Sequence, residues 1–127
     1  MTRPAHRPLR GVRVLSLALN LPGPAALMRL KAMGATCTKA EPPGPGGGPG
    51  DPMGLYNPKA YAQLHDGIKT ITVDLKTDKG QAALHRQLAR TDVLLTSFRP
   101  SALVKLGLAW NAMHMRYPTL SMVTMVG

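Results

Sequence analysis

Four cationic side chains offer the clearest chemistry in this sequence. Arg99 sits in "TSFRPSALVKLGL" (96–108), directly after the apolar run "DVLLTSF" and directly before a proline. A chain leaving a buried strand commonly turns on Gly, Asn or Asp. An Arg-Pro pair instead presents a rigid guanidinium fork at the strand's end, a shape that suits phosphate. Lys105 follows six residues later, Lys76 comes after "TVDL", and Lys39 lies inside "TCTKAE". The competing reading pairs Arg99 with a carboxylate or leaves it in solvent. The other suggestive stretch, "GPGGGPG" (44–50), lacks the context of a nucleotide-binding loop. A dinucleotide fingerprint needs its glycines between the first strand and its helix, where this chain reads "NLPGPAA" (20–26). A P-loop needs Gly-Lys-Ser or Gly-Lys-Thr, and neither occurs.

For the four cations to converge, several strands must end at one place, and the chain has the pattern to do this. "VRVLSL" (12–17) reads as a strand buried on both faces, and "GPAALMRLKAMG" as a helix with Ala26, Leu27, Leu30 and Met33 at helical spacing, stopped by Gly34. "ATCTKAE" (35–41) is a second strand. Residues 42–54 are too rich in Pro and Gly for regular structure and read as a flexible loop. "NPKAYAQLH" has room for one or two helical turns, and "KTITVDL" (69–75) alternates as a strand does. Thr77 is placed to cap a helix from Asp78, with Leu84 and Leu88 on its inner face. "DVLLTSF" (92–98) is a fourth strand. "PSALVKLG" is a short helix opened by Pro and closed by Gly107, and "LAWNAMHMRY" is another, with Trp110, Met113 and Tyr117 at helical spacing. Pro118 ends that helix before a fifth strand, "LSMVTMVG". This alternation predicts an α/β fold: an open, mainly parallel, Rossmann-like sheet of about five strands with flanking helices in a single domain over 1–127. Ligands of such sheets gather at the strand carboxyl ends, here 16–24, 41–54, 74–78 and 97–101.

Composition narrows the function classes. The formal charge is +10, and six basic residues from Arg3 to Lys31 precede the first acid. Such an excess attracts polyanions. Aromatic content of 4% supplies no base-stacking platform, and there is no zinc-finger spacing, heptad repeat or basic helix, so a nucleic-acid role rests on charge alone. No apolar run approaches the roughly 20 residues of a membrane span, and the basic start leads into a strand pattern rather than a signal peptide. The single cysteine, Cys37, excludes an internal disulfide, reads as a small apolar strand residue, and fits a reducing, cytoplasmic setting.

Taken in order, "GVRVLSL", the Pro22-Gly23-Pro24 turn, "EPP", "DLKTDKG", "FRPSALVKLGL" and "YPTL" resemble the N-terminal part of the family III CoA-transferases. That family includes formyl-CoA and carnitine CoA-transferases and the alpha-methylacyl-CoA racemases. The resemblance runs from about Leu9 to Gly127. It implies that coenzyme A lies along Val73, Asp74, Leu75 and Lys76 at the "DLK" strand end, and along Ser97, Phe98 and Arg99, with Lys105 as a phosphate partner. It also implies that Asn20 and Leu21, before the Pro-Gly-Pro turn, approach the thioester. Pro42 occupies a coenzyme-lining position that is often basic in relatives, and the relatives' "NRGKRS" is here "HDGIKT", keeping Lys69.

The resemblance further implies that the acyl-CoA thioester is substrate, with no other cofactor and no metal, and that the protein forms an interlocked homodimer. Transferases of the family form an acyl anhydride on an aspartate, and racemases use a His and an Asp on the alpha carbon. Both sets lie beyond the position matching Gly127, so no catalytic residue is assigned, and the 127 residues alone are expected to be inactive. His65, His85 and His114 do not match those positions and are expected on the surface or on helix flanks. Two readings follow: the CoA-binding part of a transferase or racemase, or a non-catalytic module that binds CoA or another polyanion. No nucleic-acid or membrane partner is expected.

Overall fold

The computed structural model describes residues 7–48 and 50–125. Five strands, β1 (Arg13–Ser16), β2 (Thr36–Glu41), β3 (Lys69–Thr72), β4 (Val93–Thr96) and β5 (Ser121–Thr124), form one sheet in the order β3-β2-β1-β4-β5. Every pairing is parallel. This is the α/β architecture expected from the sequence. The strands are shorter than the apolar runs that announce them, because the flanking residues pass into turns at the sheet's two ends. The last two residues of "LSMVTMVG" lie outside the described residues.

Helices cover both faces. α1 (Pro22–Ala32), α2 (Met53–Tyr56) and α3 (Pro58–Leu64) follow β1 and β2, whereas α4 (Asp78–Leu88), α5 (Pro100–Lys105) and α6 (Trp110–Arg116) follow β3 and β4. Period-two alternation sorts the strand residues between the faces. Leu15, Leu17 and Ala40 pack with Leu84 and Leu88 of α4, Leu103 of α5 and Met113 of α6. Val14 and Cys37 point the other way, into a smaller core with Leu27 of α1 and Ile68. Thr77 caps α4 as expected, its Oγ1 accepting from Gly80 N at 3.0 Å. Trp110 departs from the expected pattern: at the start of α6 it is about half exposed and stacks on His114, while Met113 alone fills the inward position.

The described residues of the Pro/Gly segment 42–54 are irregular apart from a 3-10 turn at Pro45–Gly47 and the start of α2 at Met53. Its far end is pinned, since Asp51 and Met53 are both buried. Asp51 was not singled out by its composition-poor surroundings, yet it fixes the loop's return to the sheet.

Candidate functional site

Carboxyl ends of a parallel sheet leave a crevice where the chain turns away from each strand. Here β1, β2 and β3 end beside the turn that follows β4. A pocket of about 150 Å³ opens there, floored by Leu17, Ala40, Val73, Leu75, Phe98 and Leu106 and edged by Glu41, Pro42, Asp74 and Lys76. A wider cleft of about 730 Å³ adjoins it, sharing Leu75, Lys76, Phe98 and Leu106 and adding Thr77, Asp78, Gln81, Ala102, Lys105 and Gly107. The combined surface has an apolar floor and a rim on which Lys76 and Lys105 stand among Glu41, Asp74 and Asp78. That suits a ligand with a flat apolar part and an anionic part.

Local hydrogen bonds shape the β3 side. Asp74 Oδ1 accepts from Lys76 N at 3.1 Å, and Thr77 Oγ1 donates to the Asp74 carbonyl at 2.9 Å. These bonds reverse the chain between β3 and α4 and leave the Lys76 side chain exposed. Gly80 lies so close to the Asp74 carbonyl that a β-carbon there would stand 2.5 Å from the carbonyl carbon. Gln81 holds the opposite walls together, its Nε2 donating to Leu75 O at 2.7 Å and Leu106 O at 3.1 Å. Nothing local marks this role, because one amide at a helical position looks like any solvated residue.

Of the sequence-predicted residues, Pro42, Val73, Asp74, Leu75, Lys76 and Phe98 line the small pocket, and Lys105 lines the cleft beside it. Arg99 is exposed at the N-cap of α5, where its carbonyl accepts from Ala102 N and Leu103 N, and it lines neither cavity. Ser97 acts as a tie between turns, its Oγ accepting from Leu19 N at 3.2 Å. Asn20, at φ +66°, and the exposed Leu21 form the turn after β1 and also stand outside both cavities.

Lys39 is a correction. It is fully buried and cannot serve an anion at the strand ends. Alternation places it on the same face of β2 as Cys37 and Glu41, under α3 and the returning loop. Its ammonium donates to Asp51 Oδ2, to Glu41 Oε2 at 3.1 Å and to His65 Nε2 at 2.7 Å. Lysine has no acceptor, so His65 Nε2 carries the lone pair and Nδ1 holds the proton it donates to Tyr61 O at 2.6 Å. His65 is therefore a buried neutral group rather than a surface residue. Burial lowers its pKa, and the neighbouring ammonium adds to that effect. Tyr61 donates to Glu41 Oε2 at 2.7 Å, and burial followed by this carboxylate pushes its pKa up. Glu41, Asp51 and His65 form a donor set of metal-binding type, with ligand atoms within 4.8 Å of one another. Lys39's ammonium already occupies their common centre.

His85 and His114 lie on helix flanks, as expected. His85 is half-buried on α4 against the Tyr117 hydroxyl at 2.6 Å, and His114 is exposed on α6. No described helix is long and apolar enough to cross a membrane.

Residues 9–127 match the family described as CoA-transferase family III. The chain is 38% identical, over 95% of its length, to succinyl-CoA–D-citramalate CoA-transferase of Chloroflexus aurantiacus, and covers 31% of that protein. It is 34% identical to cinnamoyl-CoA:phenyllactate CoA-transferase of Clostridium sporogenes, over 92% of this chain and 30% of that one. The crystal structure of the hypothetical protein Rv3272 from Mycobacterium tuberculosis superimposes on 98% of the chain with a TM-score of 0.86 and 31% identity, the match covering 35% of its length. The chain thus spans about three-tenths of the curated relatives it matches.

Proposed function

Because the chain belongs to CoA-transferase family III, we propose that it supplies the coenzyme A-binding portion of an enzyme that moves CoA between carboxylic acids. The acyl-CoA thioester is the substrate, and no further cofactor is needed. The observation carrying this reading is the two-part crevice at the strand ends, with its apolar floor and its Lys76 and Lys105 rim. The floor offers a surface for adenine or pantetheine, and the lysines a field for phosphates. Transfer is preferred to racemisation because the relatives above are named as transferases. In this reading the nucleophile and the homodimer contacts come from segments that correspond to the rest of those relatives.

Calorimetric titration of desulfo-CoA tests the proposal. The unaltered chain should bind it, and Lys105→Ala should weaken binding by about 1.5–3 kcal/mol, the worth of a charge-assisted contact to phosphate. Arg99→Ala measures whether that exposed guanidinium folds over the ligand. Double-stranded DNA is the control, since nonspecific attraction collapses with added salt. No binding, or equally tight binding to any polyanion, would refute the assignment.

A further inference from the structure

Beside the pocket lies an ionic cluster of which Glu41 alone reaches the pocket edge. Lys39, Glu41, Asp51 and His65 are all buried. Clusters of this kind contribute little net stability, because desolvation offsets the Coulombic attraction. The connections of this one set it apart. Asp51 turns one carboxylate oxygen to Lys39 and uses the other, Oδ1, to accept from Asn20 N at 2.9 Å and Met53 N at 3.0 Å. Glu41 Oε1 accepts from Gly50 N at 3.2 Å. Gly50 rests on the backbone of Pro42, where a β-carbon would stand 2.6 Å from the carbonyl carbon. The loop is therefore closed at its base, and the residues at that base, Glu41 and Pro42, edge the pocket.

Asn20 makes the second connection. It holds a left-handed backbone at φ +66°, uncommon for a residue with a side chain, in the turn after β1. Its amide is held by Asp51, and its side chain accepts from Tyr56 OH at 3.4 Å. One carboxylate thus joins the β1–α1 turn at Asn20 and β2 at Lys39 to its own loop, whose continuation into α2 it caps at Met53.

We infer that Asp51 is a positioning residue of the coenzyme A cleft: it locks the Pro/Gly loop and the β1–α1 turn together against the end of β2. The inference rests on the binding reading given above. Lys39 holds the carboxylate in place, and His65 and Glu41 complete the lysine's hydrogen bonds. Removing Asp51 frees both the turn and the loop and loosens the pocket wall at Pro42.

Two substitutions separate positioning from bulk stability. Asp51→Asn keeps an oxygen for Asn20 N and Met53 N but turns its amide nitrogen, a donor, toward the Lys39 ammonium, which then keeps only Glu41 and His65. Asp51→Leu fills similar space and removes both acceptors. Asp51→Leu should weaken desulfo-CoA binding at least tenfold and speed proteolytic cleavage within 42–52, whereas Asp51→Asn, which keeps the Asn20 and Met53 bonds but not the Lys39 pair, should lose severalfold less in both. A folded Asp51→Leu chain that binds and resists cleavage as before would overturn the inference, as would equal loss of affinity in both variants. If Asp51→Leu fails to fold, amide exchange in the unaltered chain decides. Asn20, Gly50 and Met53 should then be protected together, and an Asn20 amide exchanging far faster than Met53 would overturn the inference. If the unaltered chain does not bind desulfo-CoA, the ligand reading fails, while cleavage and amide exchange still judge the lock.

Discussion

Replacing Gly80 by alanine sets two opposed effects against each other. Alanine is the better helix former by about 1 kcal/mol, so propensity alone favours the substitution within α4. The fold opposes it. The new β-carbon would stand 2.5 Å from the Asp74 carbonyl carbon and 3.0 Å from Thr77 Oγ1, where ordinary contact begins near 3.4 Å. The carbonyl oxygen lies closer still, so the first turn of α4 must retreat by considerably more than about 1 Å from rigid backbone, and overpacking of that kind costs about 1–3 kcal/mol. The retreat also pulls Gly80 N from its cap on Thr77, a bond of 3.0 Å in a class worth about 1 kcal/mol. Less the propensity gain, the net loss is roughly 1–3 kcal/mol, or on the order of 4–11 °C in Tm for a domain of this size. Urea denaturation measures it directly as a lower midpoint at unchanged slope. Gly46→Ala is the control: nothing lies within 4 Å of that position, and only its φ of +62° is unfavourable, so the loss should stay near 1 kcal/mol. The Asp74 backbone also edges the pocket, so Gly80→Ala should weaken desulfo-CoA binding while Gly46→Ala does so less. A Gly80→Ala midpoint equal to or above that of the unaltered chain would refute the close-approach argument.

Two further outcomes follow from the core and the ionic cluster. Leu84→Ala, at a fully buried position in the larger core, should cost about 2–5 kcal/mol in the same denaturation experiment, and a loss below 1 kcal/mol would mean that α4 does not pack as described. His65 carries a lowered pKa when folded and its ordinary value near 6.5 when unfolded, so the unfolded chain binds the proton first as pH falls. Its contribution to stability should be complete above about pH 6.5 and diminish as pH drops toward the folded value. His65→Gln should flatten that part of the stability–pH curve, and an unchanged curve would place the titration elsewhere.

The architecture was legible because each element announced itself locally. Thr77 before Asp78, Pro100 opening α5, Gly34 closing α1 and Val-Leu runs at the strands all act within a few residues, and the parallel order follows from their alternation. The pocket floor was legible through the "DLK" and "FRPSALVK" resemblance. The exposed position of Arg99 outside both cavities was not, since side-chain direction at a helix cap depends on where α5 lands. Lys39 and His65 were misread for a related reason. A lysine in a strand and a histidine after a short helix look solvated until Asp51, from a loop that composition marks as structureless, arrives to pair with them. Long-range partnership of this kind leaves no mark on neighbouring residues.

The central position of β1 has a consequence for how the chain acquires its shape during synthesis. β2 and β3 extend the sheet on one side of β1, and both are made before β4 emerges. The other edge of β1 must wait for Val93, the partner of Val14. Until then a half-sheet presents Val14, Leu15 and Ser16 along an unpaired edge, and a strand from a neighbouring nascent chain is as good a template match as β4. Arg13 and Asp92 stand at the mouth of that gap. The Asp92 carboxylate takes the Arg13 backbone amide at 2.8 Å and its Nε at 3.2 Å, across 79 residues of sequence. Exposed as it is, the pair adds little to equilibrium stability. Its value is in registration: the incoming strand meets a charged and directional contact at its first residue, and a slip by one position would lose that contact and turn Leu94 and Leu95 to the wrong faces together.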